Sequence, residues 1–159
     1  MSGEPPVPTP VPTIEQAVLD EIYAHAQIGY PEEVCGLLLG ERGRIDEARR
    51  CENMQNALHA EDPARFPRDA RTAYNLGAKD LFFLDRNLRG DRPVQIIYHS
   101  HVEVGAYFSD EDKAAATFDG DLAYPVDYLV IDVRSDGARG AKLFRFRDRE
   151  FIEVASFTR

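Results

Sequence analysis

The sequence contains few cysteines and few basic residues relative to acidic ones. Two cysteines in 159 residues, Cys35 and Cys51, are too few for a disulfide framework, and they indicate a reducing, cytoplasmic setting. Lys and Arg number 19 against 28 Asp and Glu, which gives a net charge of -9. An acidic surface repels phosphates, so nucleic acids and anionic membranes are excluded as expected partners. A basic or neutral partner fits better.

The chain also lacks a long hydrophobic run. No apolar segment approaches the roughly 20 residues that a membrane-spanning helix needs, and no charged and then apolar signal segment opens the chain. The length of 159 residues predicts one domain, which can bury roughly 70% of the surface of its unfolded chain. We therefore expect a single globular domain without a membrane partner.

Residues 1–12 differ in composition from the rest of the chain, because they hold five of the ten prolines. Such a segment favours a disordered or polyproline arm. We therefore place the folded domain at residues 13–159.

Hydrophobic periodicity within this domain predicts an α/β fold. The order of elements is a helix, two strands, a helix, a strand, a helix and three strands, which is typical of a mixed sheet with helices on its faces. Thr13 to Gln16 has the form of a capping box at the start of the first helix. The predicted helices lie at 14–28, 78–88 and 110–118, the strands at 34–39, 45–51, 94–98, 126–133, 141–147 and 150–154, and a long loop at 53–69.

Two histidines separated by one residue, His99 and His101, follow the apolar run at 94–98. Strand side chains repeat every second residue, so on a β-strand both imidazoles point the same way. They can then share one metal ion. A histidine pair on a strand also occurs as core or surface filler.

Ser109 and Asp112 follow in a segment that has the form of a helix start. Asp112 can supply an oxygen ligand from the first helical turn, and two imidazoles, a carboxylate and a water make a catalytic zinc site with an open position. Ser-x-x-Asp is also a relative of the capping box, in which both side chains bind backbone amides. The spacing leaves both interpretations open.

Taken together, these four residues resemble the motif of the JAMM (MPN-positive) zinc metallopeptidases, an upstream Glu followed by His-x-His-x7-Ser-x2-Asp. The resemblance extends from about residue 14 to about residue 154. Glu33, three residues before Gly36, matches the upstream carboxylate. Many members have Pro after the second histidine, where this chain has Val102. The resemblance implies a mixed, curved sheet between helices, in the deaminase-like arrangement of the family.

The resemblance also implies a role for each matching residue. His99, His101 and Asp112 would bind Zn²⁺, Glu33 would act as the general base, and Ser109 would donate a hydrogen bond to the oxyanion. Zinc lowers the pKa of its bound water towards about 7 and polarises a peptide carbonyl. The implied reaction is metal-assisted amide hydrolysis.

Family members cut the bond after the Gly-Gly terminus of ubiquitin-like proteins. This chain is similar to the compact prokaryotic members that process ubiquitin-like sulfur carriers, and a homodimer is compatible with the same resemblance. A Gly-Gly tail suits a narrow cleft, because it can lie along a strand edge where side chains would clash. The partner expected from the resemblance is therefore a sulfur carrier or another ubiquitin-like protein.

Two other functions share part of this pattern. A non-catalytic MPN scaffold has the same fold, but such chains usually lose members of the motif, and this chain retains all of them. The segment 101–103 matches the His-x-Glu of zinc deaminases, but the Pro-Cys-x-x-Cys that would complete that site is absent.

Overall fold

The computed structural model describes residues 9–159. The helices are α1 (Gln16–Gly29), α2 (Gln55–Glu61), α3 (Ala78–Arg86) and α4 (Asp110–Ala116). The strands are β1 (Thr13–Ile14), β2 (Cys35–Leu39), β3 (Arg44–Ile45), β4 (Glu47–Cys51), β5 (Val94–Val102), β6 (Thr117–Phe118), β7 (Asp121–Leu122), β8 (Asp127–Arg134), β9 (Gly137–Arg147) and β10 (Glu150–Thr158). Of the helices in this part of the chain, none combines the length and the apolar character needed to cross a membrane.

A six-stranded mixed sheet forms the centre of the molecule, in the order β10-β9-β8-β5-β2-β4. β5 and β8 run parallel, and the other neighbours in this sheet are antiparallel. The parallel pair requires a crossover connection, and α4 with the small β6-β7 hairpin lies within it. The predicted α/β class with a mixed sheet is confirmed.

The two faces of the sheet are covered by different helices, so the central strands are apolar on both sides. On one face, Ile96 and Tyr98 of β5 pack in a cluster with α1. On the other face, Ile97 of β5 packs in a cluster that includes Leu84 of α3 and Ala116 of α4. Alternation along a strand then places the odd-numbered residues of β5, including 99 and 101, on the face of α3 and α4.

The start of α1 differs from the sequence-based prediction. The predicted capping box at residues 13–16 is wrong, because Thr13 and Ile14 form β1 and pair with β3 in a parallel register. Glu15 takes the N-cap position, and its side chain makes no capping hydrogen bond. Thr13 and Ile14, which the local pattern assigned to a helix cap, are hydrogen-bonded in a strand pair instead.

The region predicted as a long loop, 53–69, contains the short helix α2. Periodicity gave no signal for it, because its one buried residue is polar, Gln55. The third helix is predicted at 110–118, but the observed helix α4 ends at Ala116. Residues 117–122 form the β6-β7 hairpin, with Gly120 at a φ of 79° in the turn.

Residues 9–12 belong to the arm that composition predicts to be disordered, and the structure places them against the domain. The Arg145 guanidinium donates hydrogen bonds to the carbonyls of Thr9, at 2.6 Å, and Pro10, at 3.4 Å. Pro12 is buried. The other eight residues of the predicted arm lie outside the described residues.

Gly36 in β2 leaves the space that the Tyr98 ring occupies on the neighbouring strand. Gly36 and Tyr98 are directly opposite in the register, and a Cβ at position 36 would lie 2.3 Å from the ring. Burial lowers the pKa of His25 to about 4, so the neutral Nδ1 of His25 accepts a hydrogen bond from the Tyr98 hydroxyl at 2.7 Å. The Tyr98 ring is therefore held at its hydroxyl by His25, and it packs directly against Gly36.

We predict that Gly36→Ala destabilises the fold. The added methyl group overpacks a completely buried site, which typically costs about 1–3 kcal/mol. For a domain of this size each kcal/mol lowers the melting temperature by about 2–4 °C. Urea and thermal unfolding would measure the loss. Gly77→Ala is the control, because its Cβ would meet the flexible Met54 side chain at 3.2 Å. Equal stability of Gly36→Ala and the wild type would contradict this account of the contact.

Candidate metal centre

Strand β5 carries both histidines into the interior on one face. The strand extends beyond the predicted apolar run to Val102, and it is hydrogen-bonded on both sides, with His99 opposite Cys35 of β2 and Val130 of β8. His99 is fully buried and His101 is 4% exposed. Because a strand paired on both sides is rigid, the imidazoles are held in fixed positions.

The first turn of α4 brings Asp112 to these imidazoles. Its Oδ1 lies 3.0 Å from His99 Nε2, and its Oδ2 lies 3.0 Å from His101 Nε2. One ligand atom from each of the three residues lies within 4.8 Å of the others. The structure therefore gathers the three residues that the motif matches to metal ligands.

The capping interpretation of Ser109 and Asp112 also holds. Ser109 Oγ accepts a hydrogen bond from the Asp112 amide, and Asp112 Oδ2 accepts one from the Ser109 amide, so the two residues form a capping box. This box fixes the Asp112 carboxylate against the histidines. The helix cap therefore positions the Asp112 carboxylate. The capping interpretation and the metal-ligand interpretation of the sequence are compatible with each other.

The three groups leave a site that fits a cation. Among the described residues, His99 Nδ1 is buried without a hydrogen-bond partner, and the buried His99 Nε2 lies 3.0 Å from Asp112 Oδ1 without forming a hydrogen bond to it. His101 Nδ1 lies 3.1 Å from the Gly105 carbonyl, and His101 Nε2 lies 3.0 Å from Asp112 Oδ2. In the tautomer that donates from Nδ1 to the carbonyl, Nε2 would be available to bind a cation. Two imidazole nitrogens and one carboxylate are the donor types of a catalytic zinc site.

The charges of the site support the same conclusion. Burial lowers the pKa of His99, against the opposing charge of Asp112, so the imidazole is neutral. Burial alone would raise the pKa of Asp112, but the neighbouring His99 and His101 outweigh it and hold the pKa of the carboxyl well below its usual range. An ionised carboxylate beside a neutral imidazole attracts a cation.

Glu33 lies beside the metal-binding group without belonging to it. Its side chain is buried, with 7% of the residue exposed. Burial raises the pKa of Glu33 to about 9, the negative charge of Asp112 adds to the rise, and the positive charge of Arg68 opposes it. A buried carboxyl with a strongly raised pKa next to a candidate metal site is typical of an acid or base in catalysis.

The segment between α2 and α3 holds Glu33 in place through backbone contacts. The Glu33 amide donates to the Ala70 carbonyl at 2.7 Å. The Glu33 carbonyl accepts from Asn53 Nδ2 at 2.9 Å, and the same amide group donates to the Ala73 carbonyl at 3.1 Å. The Asn53 side chain therefore links the backbone of Glu33 to the backbone of Ala73.

Further amide side chains stabilise this segment. Asn53 Oδ1 accepts from the amides of Gln55 and Asn75. Gln55 links Asn75 to the Arg68 carbonyl, which it reaches at 2.8 Å. Sequence analysis missed these residues, although three amide side chains within positions 53–56 were the available signal.

Two tyrosines that the motif does not contain flank the histidines. Tyr74 stacks on His99, with ring centroids 4.4 Å apart and an interplanar angle of 21°. Tyr107 meets His101 edge to face, with centroids 4.9 Å apart, and half of its surface is exposed. Tyr74 limits the movement of the His99 ring from inside, and Tyr107 lies at the outer rim of the site.

Val102 and Glu103 follow the two histidines at the end of β5. Val102, which stands where many family members have Pro, is the last residue of β5 and pairs with Val133. Glu103 has a φ of 66°, and its carboxylate accepts a hydrogen bond from the Ser135 amide. Glu103 is thus directed to the β8-β9 turn, away from the role that a deaminase-type His-x-Glu would require.

Comparison with known proteins agrees with this geometry. Residues 15–145 match the family described as prokaryotic homologs of the JAB domain. The chain is 28% identical over 141 residues to the CysO-cysteine peptidase of Mycobacterium tuberculosis, which covers 88% of this chain and 86% of that protein. The CysO-cysteine peptidase of Mycobacterium bovis gives the same values.

Solved structures show the same fold. A protein from Salinibacter ruber is 27% identical, with a TM-score of 0.59 and coverage of 90% of this chain and 88% of that one. A protein from Desulfitobacterium hafniense has a TM-score of 0.62 at 21% identity, covering 89% and 88%. A JAB1/MPN domain protein from Archaeoglobus fulgidus has a TM-score of 0.51 at 16% identity, covering 90% and 94%. With most of its length matched, this chain belongs to the family of prokaryotic JAB domain homologs.

Proposed function

We propose that the protein is a zinc-dependent peptidase that hydrolyses the amide bond after the Gly-Gly terminus of a ubiquitin-like or sulfur-carrier protein. The observation that carries this proposal is the group of His99, His101 and Asp112, in which two buried imidazoles and a buried carboxylate converge and the ring nitrogens of His99 make no hydrogen bond. The JAB family membership and the peptidase name of the mycobacterial relatives support a hydrolase.

When bound, zinc supplies a Lewis acid that polarises the scissile carbonyl and activates water. Glu33 is the residue that takes the proton of the water and delivers it to the leaving amine, because it is the buried carboxyl beside the ligands. Its pKa of about 9 describes a site without a cation. A dication held by His99, His101 and Asp112 would lower the pKa of Glu33 and so favour its ionised, proton-accepting form.

Ser109 is the proposed donor to the oxyanion. Its Oγ accepts a hydrogen bond from the Asp112 amide, so the hydroxyl proton remains free for another acceptor. A donor of this kind contributes roughly 2.7–4 kcal/mol to the stabilisation of the transition state in other enzymes.

The carrier substrate is inferred from the relatives and from the rim of the site. The mycobacterial relatives are named CysO-cysteine peptidases, which supports a sulfur carrier as the partner. At the rim, Val104 and Tyr107 are large exposed apolar side chains, 59% and 51% exposed. They offer apolar surface to a protein bound over the metal site.

We predict that the protein binds one zinc per chain and that His101→Ala loses it. The substitution removes one of the two proposed nitrogen ligands and one of the two imidazoles that contact the Asp112 carboxylate. Elemental analysis of both purified proteins would measure zinc. The control is His59→Ala, since His59 binds the Phe66 carbonyl outside the site and should keep full zinc content. Retention of stoichiometric zinc by His101→Ala would show that the ligand set is wrong.

We predict that Glu33→Gln keeps the zinc and the fold but lowers the hydrolysis rate by about 10²–10⁴-fold, the usual contribution of general acid–base catalysis. Glutamine matches glutamate in size but cannot accept the proton. The assay is turnover of a carrier extended beyond its Gly-Gly terminus.

The matched controls are Glu32→Gln and Glu103→Gln. Their carboxylates bind Asn56 and the Ser135 amide respectively, so both variants should keep the wild-type rate. Wild-type turnover by Glu33→Gln together with loss of activity in either control would assign the base to another residue. A non-catalytic scaffold would turn over no substrate in any form.

A further inference from the structure

The two histidines of the metal centre are held in different ways, although they lie on one strand. The imidazole of His101 has a polar neighbour at each nitrogen, because Nδ1 lies 3.1 Å from the Gly105 carbonyl and Nε2 lies 3.0 Å from Asp112 Oδ2. His99 places Nε2 at 3.0 Å from Asp112 Oδ1. Its Nδ1 is buried and has no hydrogen-bond partner among the described residues. The two proposed ligands therefore differ at Nδ1.

This difference bears on how each ring is oriented. A histidine that binds a metal through one nitrogen usually donates the N–H of the other to a carbonyl or a carboxylate, and this bond fixes the orientation of the ring. The Gly105 carbonyl can accept such a bond from His101. If His99 binds zinc through Nε2, its Nδ1–H has no such acceptor in the described part of the chain. The orientation of the His99 ring then depends on a contact of another kind.

Tyr74 makes a contact of that kind, because its ring lies over one face of the His99 imidazole. The ring centroids are 4.4 Å apart and the planes are inclined by 21°. Rotation of the imidazole about its Cβ–Cγ bond would turn its edge into the Tyr74 ring. The stack therefore restricts the same torsion that a hydrogen bond at Nδ1 would fix.

The backbone on both sides of Tyr74 is bound by the side chain of Asn53. Its Nδ2 donates to the Ala73 carbonyl at 3.1 Å, and its Oδ1 accepts from the Asn75 amide at 3.1 Å. The same Nδ2 also donates to the Glu33 carbonyl at 2.9 Å. The Tyr74 backbone is thus held against the rest of the domain, so that its ring can resist movement of the imidazole.

We propose that Tyr74 is a positioning residue for the metal, whose ring orients the His99 imidazole in place of the hydrogen bond that a metal-binding histidine ordinarily donates. The ring of the tyrosine performs this role and its hydroxyl does not, because the contact is between two ring faces. The inference rests on the proposed ligand set of His99, His101 and Asp112, and it adds a residue that the sequence motif does not contain.

The zinc dissociation constant tests the inference, measured on the wild type and on three variants by competition with a chromophoric chelator. Tyr74→Phe keeps the ring and should keep the wild-type value. Tyr74→Leu removes the ring and should weaken zinc binding by about 10- to 100-fold, the usual effect of losing a group that orients a metal ligand. Tyr107→Leu is the matched control. It removes the edge-to-face contact with His101, whose Nδ1 still has the Gly105 carbonyl, so it should bind zinc as the wild type does.

A second measurement uses the zinc-free wild-type protein, so its result does not depend on how well Tyr74→Leu folds. Nuclear magnetic relaxation of the histidine ring carbons reports ring motion on the picosecond to nanosecond timescale. We expect the His99 ring to be as rigid as the His101 ring in the wild type and in Tyr74→Phe. In Tyr74→Leu the His99 ring should become the more mobile of the two.

Each negative result has its own meaning. A His99 ring that is more mobile than the His101 ring in the wild type would overturn the inference. Wild-type zinc affinity in Tyr74→Leu, with only a lower melting temperature, would identify Tyr74 as a packing residue and overturn it as well. An equal loss of affinity in Tyr107→Leu would remove the distinction between the two histidines, with the same consequence. A wild-type protein that binds no zinc would overturn the proposed function, and the inference with it.

Discussion

The arrangement of the site depends on one buried carboxylate, that of Asp112. An ionised carboxylate in a protein interior is costly unless it is paired and hydrogen-bonded. Here it lies 3.0 Å from the Nε2 atoms of His99 and His101 and also accepts the Ser109 amide. Removing any of these partners leaves charge without compensation. The constraint explains why a short helix and a buried strand meet at this point.

The parts of the site differ in how they are held. The histidines lie on a central strand with neighbours on both sides, and Asp112 is fixed by a helix cap, so the proposed metal ligands are carried by regular structure. Glu33 instead precedes β2, and its backbone is bound by Asn53 and Ala70 from a segment rich in amide side chains. The proposed acid–base residue is therefore held by a polar network that is separate from the strand and the helix that carry the proposed metal ligands.

Charge distribution gives a second constraint. The chain carries a net charge of -9. At the site the carboxylates of Glu111 and Asp112 lie on the first turn of α4, and burial together with the charge of Asp112 raises the pKa of the Glu33 carboxyl. A dication bound by His99, His101 and Asp112 would offset part of this negative charge, and the Arg68 guanidinium offsets more of it through its ion pair with Glu111. The electrostatics of the site therefore favour a bound cation.

The sequence by itself determined those features that depend on local periodicity. The two-residue repeat of a strand puts His99 and His101 on one face, the Ser109 cap brings Asp112 to the start of α4, and the apolar patterns predicted the mixed α/β fold. A match to a known motif singled out Glu33, but its burial and its raised pKa do not follow from its neighbours along the chain.

Tertiary structure alone decided what surrounds these residues. Tyr74 stacks on His99, Asn53 binds the Glu33 carbonyl, and Arg68 reaches Glu111 from 43 positions away. Local patterns also did not predict α2 or the β1-β3 pair. Helix α2 buries little apolar surface, and β1 pairs with a strand about 30 residues away in the sequence. Contacts between residues far apart in the sequence carry no local period, so only the folded chain could bring them together.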